Sequence, residues 1–148
     1  MSSLVGAVVV GAVAVGGLAS AAPKDGTGPS LSHASARYTA PSAPSGHGTG
    51  SLTFTADVHD GSGVRGLTVL PWPASSKLDP TEAELRHVES ARCRSTAAGT
   101  SRCTYTLKVT GEDADRLARG RWYVAVRAVA EDGGAAFEPR AASFDVGR

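Results

Sequence analysis

Three segments of this 148-residue chain alternate apolar and polar residues with a period of two, the periodicity of a β-strand with one buried face. Their apolar positions are Leu52, Phe54, Ala56 and Val58, then Cys103, Tyr105, Leu107 and Val109, and finally Trp122, Val124, Val126, Ala128 and Ala130. A helix would repeat its apolar residues every three or four positions, and these segments do not. The chain is therefore predicted to fold into sheets.

Turn sequences separate these segments and set the number of strands. Turns are predicted at residues 60–63 and 132–134, because both segments are rich in Asp, Gly and Ser, which favour turns. Weaker strand patterns cover residues 64–72, 88–94 and a last strand ending near Val146, in which Pro139 indicates an edge or a bulge. Six or seven short strands predict an all-β sandwich of two sheets, with Trp122 in the middle of its core.

Two short segments depart from the strand pattern and predict helical turns. In residues 79–86, Asp79 is positioned to cap the turn and Glu82 to return a hydrogen bond to the cap. Farther along, Thr110 precedes two acidic residues, and Gly120 is expected to end that turn. Neither turn changes the all-β class.

The first fifty residues predict an export signal and a tether. Residues 4–19 carry no charge, and the small residues Ala19 and Ala21 fit a signal peptidase, so we expect a signal peptide over residues 1–21. Only three residues precede the apolar run, where a basic stretch is usual; we interpret the start site as placed too late, with an uncleaved anchor as the alternative.

The composition then shifts to Pro, Gly, Ser and Thr, which predicts a linker over residues 22–50. Within it, residues 31–39 have the pattern for a first edge strand anchored by Tyr38. The packed domain is expected over residues 51–148.

Cys93 and Cys103 are the two cysteines of the chain. In an oxidising compartment such a pair is more often bridged than free. Zinc sites usually take four Cys or His ligands, so this pair is a poor metal site. We predict a disulfide that joins the two arms of a hairpin, with free thiols as the alternative.

Two local patterns, residues 56–64 and 120–128, resemble strands B and F of bacterial immunoglobulin-like domains. The stretch 71–82 and the two cysteines resemble small secreted actinobacterial proteins grouped as a domain of unknown function, over about residues 34–146. This resemblance implies export and an immunoglobulin-like β-sandwich of about seven strands with one or two short helical turns. It implies no activity and no catalytic residue.

Three arginines, Arg92, Arg94 and Arg102, crowd around the predicted disulfide. A cationic hairpin tip of this kind could dock on an anionic wall polymer or an acidic partner, and the alternative is a solvated face without a ligand. Trp72, held between two prolines, is either an exposed platform for sugar stacking or, more commonly, a plug at one end of the core.

Asp60 and Asp132 are expected at the same end of the sandwich because they lie in the turns after strands B and F. A calcium site there is conceivable, but Ca²⁺ takes about six to eight oxygen ligands and Asp commonly serves as a turn former. We therefore predict no metal site and no cofactor, and retain these two residues as weak candidates.

The four histidines, His33, His47, His59 and His87, are scattered, and the sequence has no nucleophile elbow, zinc-protease motif or phosphate-binding loop. The 15 basic and 14 acidic residues are interspersed, which does not favour nucleic acid as a partner. We predict a secreted, non-enzymatic binding module whose partner is an exported protein or a cell-envelope polymer. The alternatives are a protease inhibitor that presents the stapled loop and a small hydrolase with an unrecognised site.

Overall fold

The computed structural model describes residues 28–42 and 48–147, and seven strands, one α-helix and two 3₁₀ turns lie within them. The strands are β1 (Ser30–Thr39), β2 (Gly50–His59), β3 (Val64–Pro73), β4 (Arg92–Ala97), β5 (Thr100–Val109), β6 (Gly120–Ala130) and β7 (Ala135–Val146). Helix α1 is Gly111–Arg116, and the 3₁₀ turns are Ala74–Ser76 and Glu84–Arg86. The all-β prediction is confirmed, whereas the predicted signal peptide, residues 1–21, lies outside the described residues.

The strands form two antiparallel sheets, of order β1-β2-β5-β4 and β3-β6-β7. Lettered along the chain, these are A-B-E-D and C-F-G, the strand order of a constant-type immunoglobulin sandwich. The first strand expected inside the linker is present, because β1 pairs with β2 from Ser30 opposite His59 to Thr39 opposite Ser51. The packed sandwich therefore includes β1.

The core lies between the two sheets and follows the predicted alternation. Every second residue of β2, from Leu52 to Val58, is buried, and the facing residues of β6 from Val124 to Ala130 are fully buried. Leu107 is the exception among the inward residues of β5, with 38% of its surface exposed. Period two thus identified the buried face of β2 because its other side carries Ser, Thr and Asp, whereas the other side of β6 includes the buried Ala125 and the partly buried Tyr123.

Neither tryptophan lies where it was expected. Trp122 is only partly buried, stacks on Phe144 with ring centroids 5.8 Å apart, and donates its Nε1–H to the carbonyl of Ala118. Trp72 is 3% exposed and packs on the outer side of the β3-β6-β7 sheet beneath Leu85. The prediction that Trp122 fills the middle of the core is therefore wrong, because Trp122 is only partly buried against the main core, and Trp72 belongs to a separate cluster on the other side of the sheet.

Strand β4 begins later than predicted because the chain first pairs with the other sheet. The amide of Val69 bonds to the carbonyl of Glu89, and the amide of Ala91 bonds to the carbonyl of Leu67, both on the β3 edge. From Arg92 onward the chain pairs with β5. Residues 89–91 therefore link the edges of the two sheets, and the strand predicted over residues 88–94 is shifted to Arg92–Ala97.

The helical turns form where they were expected, with one change of cap. Thr81 and Glu84, rather than Asp79 and Glu82, exchange side-chain to backbone hydrogen bonds in the first turn. In α1, Thr110 and Asp113 form the reciprocal bonds of a capping box, as the predicted Thr110 cap requires. This helix ends at Arg116, so Gly120, with a φ of 105°, begins β6 instead of ending the helix.

Candidate functional site

The disulfide joins two directly opposed residues of the β4-β5 hairpin, as predicted. Cys93 and Cys103 are register partners whose sulfur atoms are 2.04 Å apart, and the Cys103 side chain is fully buried. The two strands are joined by a short turn at Ala98 and Gly99, and their register shifts between Ser95 and Ala97. The bond therefore attaches the short edge strand β4 to a strand that belongs to the core.

The three candidate arginines lie on the solvent side of this hairpin. Side chains alternate along a strand, so residues beside an inward cysteine point outward. Arg94 is the register partner of Arg102, and Arg92 is the partner of Thr104. The structure corrects the expectation that these arginines form the hairpin tip, because Ala98 and Gly99 occupy the turn and the arginines lie along the arms.

The pairing extends these arginines into a polar surface across four strands, which we call the cationic face. It consists of Ser35, Arg37 and Thr39 on β1, Ser51, Thr53, Thr55 and Asp57 on β2, Thr104, Thr106, Lys108 and Arg102 on β5, and Arg92 and Arg94 on β4. Some register partners on this face are two hydroxyl residues, as in Ser35 and Thr55, whose Oγ and Oγ1 atoms are 3.1 Å apart. The face is polar, with Arg37 on the β1 edge and Arg92 and Arg94 on the β4 edge.

Asp57 is the one carboxylate of the cationic face, which otherwise carries five cationic side chains. Its Oδ1 lies 3.1 Å from Nε of Arg102, and its Oδ2 lies 3.0 Å from Nδ1 of His33. Among the described residues, Arg92 and Arg94 make no side-chain ion pair. The positive charge of the face therefore exceeds what Asp57 compensates.

Trp72 does not form an exposed platform. Its Nε1–H donates to the carbonyl of Pro139 at 3.0 Å, and its ring lies 5.1 Å from the ring of Tyr123, centroid to centroid. The guanidinium of Arg140 stands 4.7 Å above the Tyr123 ring and 5.8 Å from that of Trp72. This tryptophan stabilises the cover of the β3-β6-β7 sheet and presents no free face to a sugar.

Asp60 and Asp132 lie at one end of the sandwich, as expected, and both close their own turns. Asp60 Oδ1 accepts hydrogen bonds from the hydroxyl and the amide of Ser62, which hold the pKa of Asp60 below its usual value. Asp132 Oδ1 accepts from the amide of Gly134, and the Asp132 amide donates to the Ser62 hydroxyl. Turn formation accounts for these two carboxylates. In residues 28–42 and 48–147, no group of three or more His, Cys, Asp or Glu is arranged for a metal ion.

A second feature, which no sequence motif indicated, is a cleft of about 360 Å³ beside the cationic face. It lies where residues 35–38 of β1 approach residues 143–145 of β7, with Arg37 and Arg121 in its lining. The alternation of residues 31–39 could have placed Arg37 on the outer side of β1. It could not have brought β1 beside β7, which are far apart in the chain.

Within the described part of the chain, no helix is long and apolar enough to cross a membrane. No curated protein and no solved structure matches this chain. One family pattern does match, over residues 31–128, from the second residue of β1 to near the end of β6. The match covers all the strands of the cationic face. The chain therefore belongs to DUF5707, a family of unknown function.

Proposed function

We propose that the protein is an exported, non-enzymatic binding module that attaches to an anionic polymer of the cell envelope through its cationic face. The observation that carries the proposal is the arrangement of charge: five cationic side chains and several hydroxyl groups share one face of a sheet with a single carboxylate. A surface of this composition complements a ligand rich in negative charge and hydroxyl groups.

The chemistry of the side chains favours such a ligand over an apolar one. Arg guanidinium groups bind carboxylate and phosphate oxygens through paired hydrogen bonds, and Ser and Thr hydroxyls add donors and acceptors. The cationic face contributes no aliphatic or aromatic side chain with which to anchor an apolar partner. The recognition is therefore electrostatic and polar.

The spread of the cations over four strands favours a polymer over a small molecule. Exposed single ion pairs contribute only about 0–1 kcal/mol each, so one small anion would bind weakly. A chain with repeated charges engages several arginines at once, and each further contact forms at high effective concentration. Avidity along a polymer thus compensates for weak individual contacts.

Two features support an exported location. Residues 4–19 form an apolar run that ends in small residues, and the Cys93–Cys103 disulfide is of a kind that persists in oxidising compartments. An anionic envelope polymer is accessible to a protein in that location.

The test is sedimentation of the purified protein with envelope fragments, before and after chemical removal of their anionic polymers. We expect retention on untreated fragments and its loss on stripped ones. The double variant Arg92→Gln/Arg94→Gln should lower the apparent affinity by about tenfold or more at low salt.

The matched control is Arg86→Gln/Arg116→Gln, which replaces two exposed arginines outside the cationic face. It removes the same two positive charges and should leave retention unchanged. Equal retention of wild type and the double variant, or retention that persists on stripped fragments, contradicts the proposal.

A further inference from the structure

We propose that the cleft between β1 and β7 is a subsite for one negatively charged unit of the polymer, bound between Arg37 and Arg121. The unit is a sugar acid or a phosphorylated polyol, which share a single anionic group beside hydroxyls. This inference rests on the proposed function, since Arg37 belongs to both the cationic face and the cleft.

The cleft combines the groups that such a unit requires. Its lining includes Arg37, Arg121, Ser35, Ser143, Tyr38 and Phe144. The Tyr38 and Phe144 rings stack with centroids 6.1 Å apart and form an apolar wall. Small-molecule sites typically pair an apolar wall with a few placed polar groups, and this cleft has both.

Arg121 is held in place before any ligand binds. Its Nε lies 3.0 Å from Oδ1 of Asp145, and its Nη1 donates to the hydroxyl of Ser143 at 2.9 Å. A guanidinium has five N–H donors, so these two contacts leave donors for an anion. Fixing the side chain beforehand lowers the entropy lost on binding.

Arg37 is the second cation of the cleft and is exposed on the outer side of β1. Its side chain forms no hydrogen bond or ion pair with another described residue. Together Arg37, Arg121 and Asp145 give the cleft one net positive charge, which matches a ligand unit with one negative charge.

The size and position of the cleft favour one unit of a longer chain. Its volume of about 360 Å³ is near the lower end of small-molecule sites. Arg37 on β1 and Arg92 on β4 are separated by three interstrand spacings. Arg37 is in register with Thr106 of β5 and Arg92 with Thr104, two residues along, so the two arginines are about 16 Å apart. A short oligomer is able to bridge that distance, so the polymer crosses the sheet with one unit in the cleft.

The test is a titration of the ¹⁵N-labelled protein with galacturonate, with glycerophosphoglycerol, a phosphodiester with one negative charge, and, as a neutral control, with glucose. We expect at least one of the two anions to shift the amide resonances of residues 35–38 and 143–145, and glucose to shift none of them. The anion that binds identifies the chemistry of the unit. Arg37→Gln should weaken this binding by about tenfold, whereas Arg86→Gln and Arg92→Gln/Arg94→Gln should leave it unchanged.

The outcomes separate this inference from the proposed function. Absence of cleft shifts with both anions, or an Arg37→Gln variant that binds them as wild type does, overturns the subsite even if Arg92 and Arg94 still control envelope retention. Cleft shifts with an anion, combined with envelope retention that does not depend on Arg92 and Arg94, keep the subsite and overturn the proposed function.

Discussion

Arg94 and Arg102 are register partners on adjacent strands, yet only Arg102 has a carboxylate beside it, Asp57 at 3.1 Å. Two like charges placed directly opposite each other repel. Asp57 relieves that repulsion from one side, and the Cys93–Cys103 bond fixes the two strands in the register that creates it. The disulfide-bonded hairpin thus holds two positive charges close together although their repulsion opposes folding.

Removing the Asp57 carboxylate should strengthen binding to an anionic polymer. We expect Asp57→Asn to raise affinity, because the face loses its one repulsive group, and to cost about 1–3 kcal/mol of stability, because the Asp57 side chain is 19% exposed and contacts both Arg102 and His33. Affinity at several salt concentrations and the free energy of unfolding are the measurements. Asp115→Asn on α1 is the control with the same change in net charge, and an equal gain in that variant would assign the effect to net charge.

The two tryptophans should differ in their contribution to stability. Trp72 is buried beneath Leu85, so Trp72→Ala should lower the free energy of unfolding by about 3–5 kcal/mol. Trp122 is partly exposed at one end of the sandwich, and Trp122→Ala should cost clearly less. Urea unfolding of both variants measures the difference. A larger loss for Trp122→Ala would contradict the packing described for the two sheets.

Breaking the disulfide should weaken the fold and the binding face together. Closure of a loop with a sequence separation of 10 residues stabilises the folded state by about 3 kcal/mol or less. We expect Cys93→Ala/Cys103→Ala to lose most of that amount in urea unfolding and to bind polymer less well, because β4 is a short, exposed edge strand. Unchanged polymer affinity in a folded double variant would show that β4 keeps its register without the bond.

Acid should remove a stabilising contribution from the turn after β2. Hydrogen bonds from the Ser62 hydroxyl and amide lower the folded-state pKa of Asp60. A depressed pKa stabilises the fold above the unfolded value of about 3.9, and that contribution is lost as the pH falls through the lower folded value. Melting temperatures of wild type and Asp60→Asn should therefore differ at pH 6 and converge in acid; a difference that is constant with pH would contradict this account.

The predictable part of the fold is the part with one buried face. In β2 the alternation identified the inward residues because polar side chains occupy the other side. Strand β3 gave a weaker pattern, since Leu67 and Val69 face the core while Trp72 packs on the outer side under Leu85. A strand that is buried on both faces has apolar residues at successive positions and loses the apolar–polar alternation. For this reason the sequence did not identify Trp72 as part of a second apolar cluster.

The candidate site was predictable in its residues but not in its extent. The arginines beside the two cysteines were visible in the sequence, whereas their place along the arms depends on which residues form the turn. The pairing of Asp57 with Arg102 joins residues 45 positions apart. The cleft with Arg37 and Arg121 requires β1 to lie beside β7, a contact that local patterns do not encode.

The most direct test of the central claim is to locate polymer binding on the protein by ¹⁵N NMR titration with polygalacturonate and with a glycerol phosphate polymer. We expect at least one polymer to shift amide resonances of residues 53–57, 92–94 and 102–106, with shifts that decrease as salt is added. Shifts confined to the turns around Asp60, Gly99 and Asp132, or no shifts with either polymer, would contradict the account.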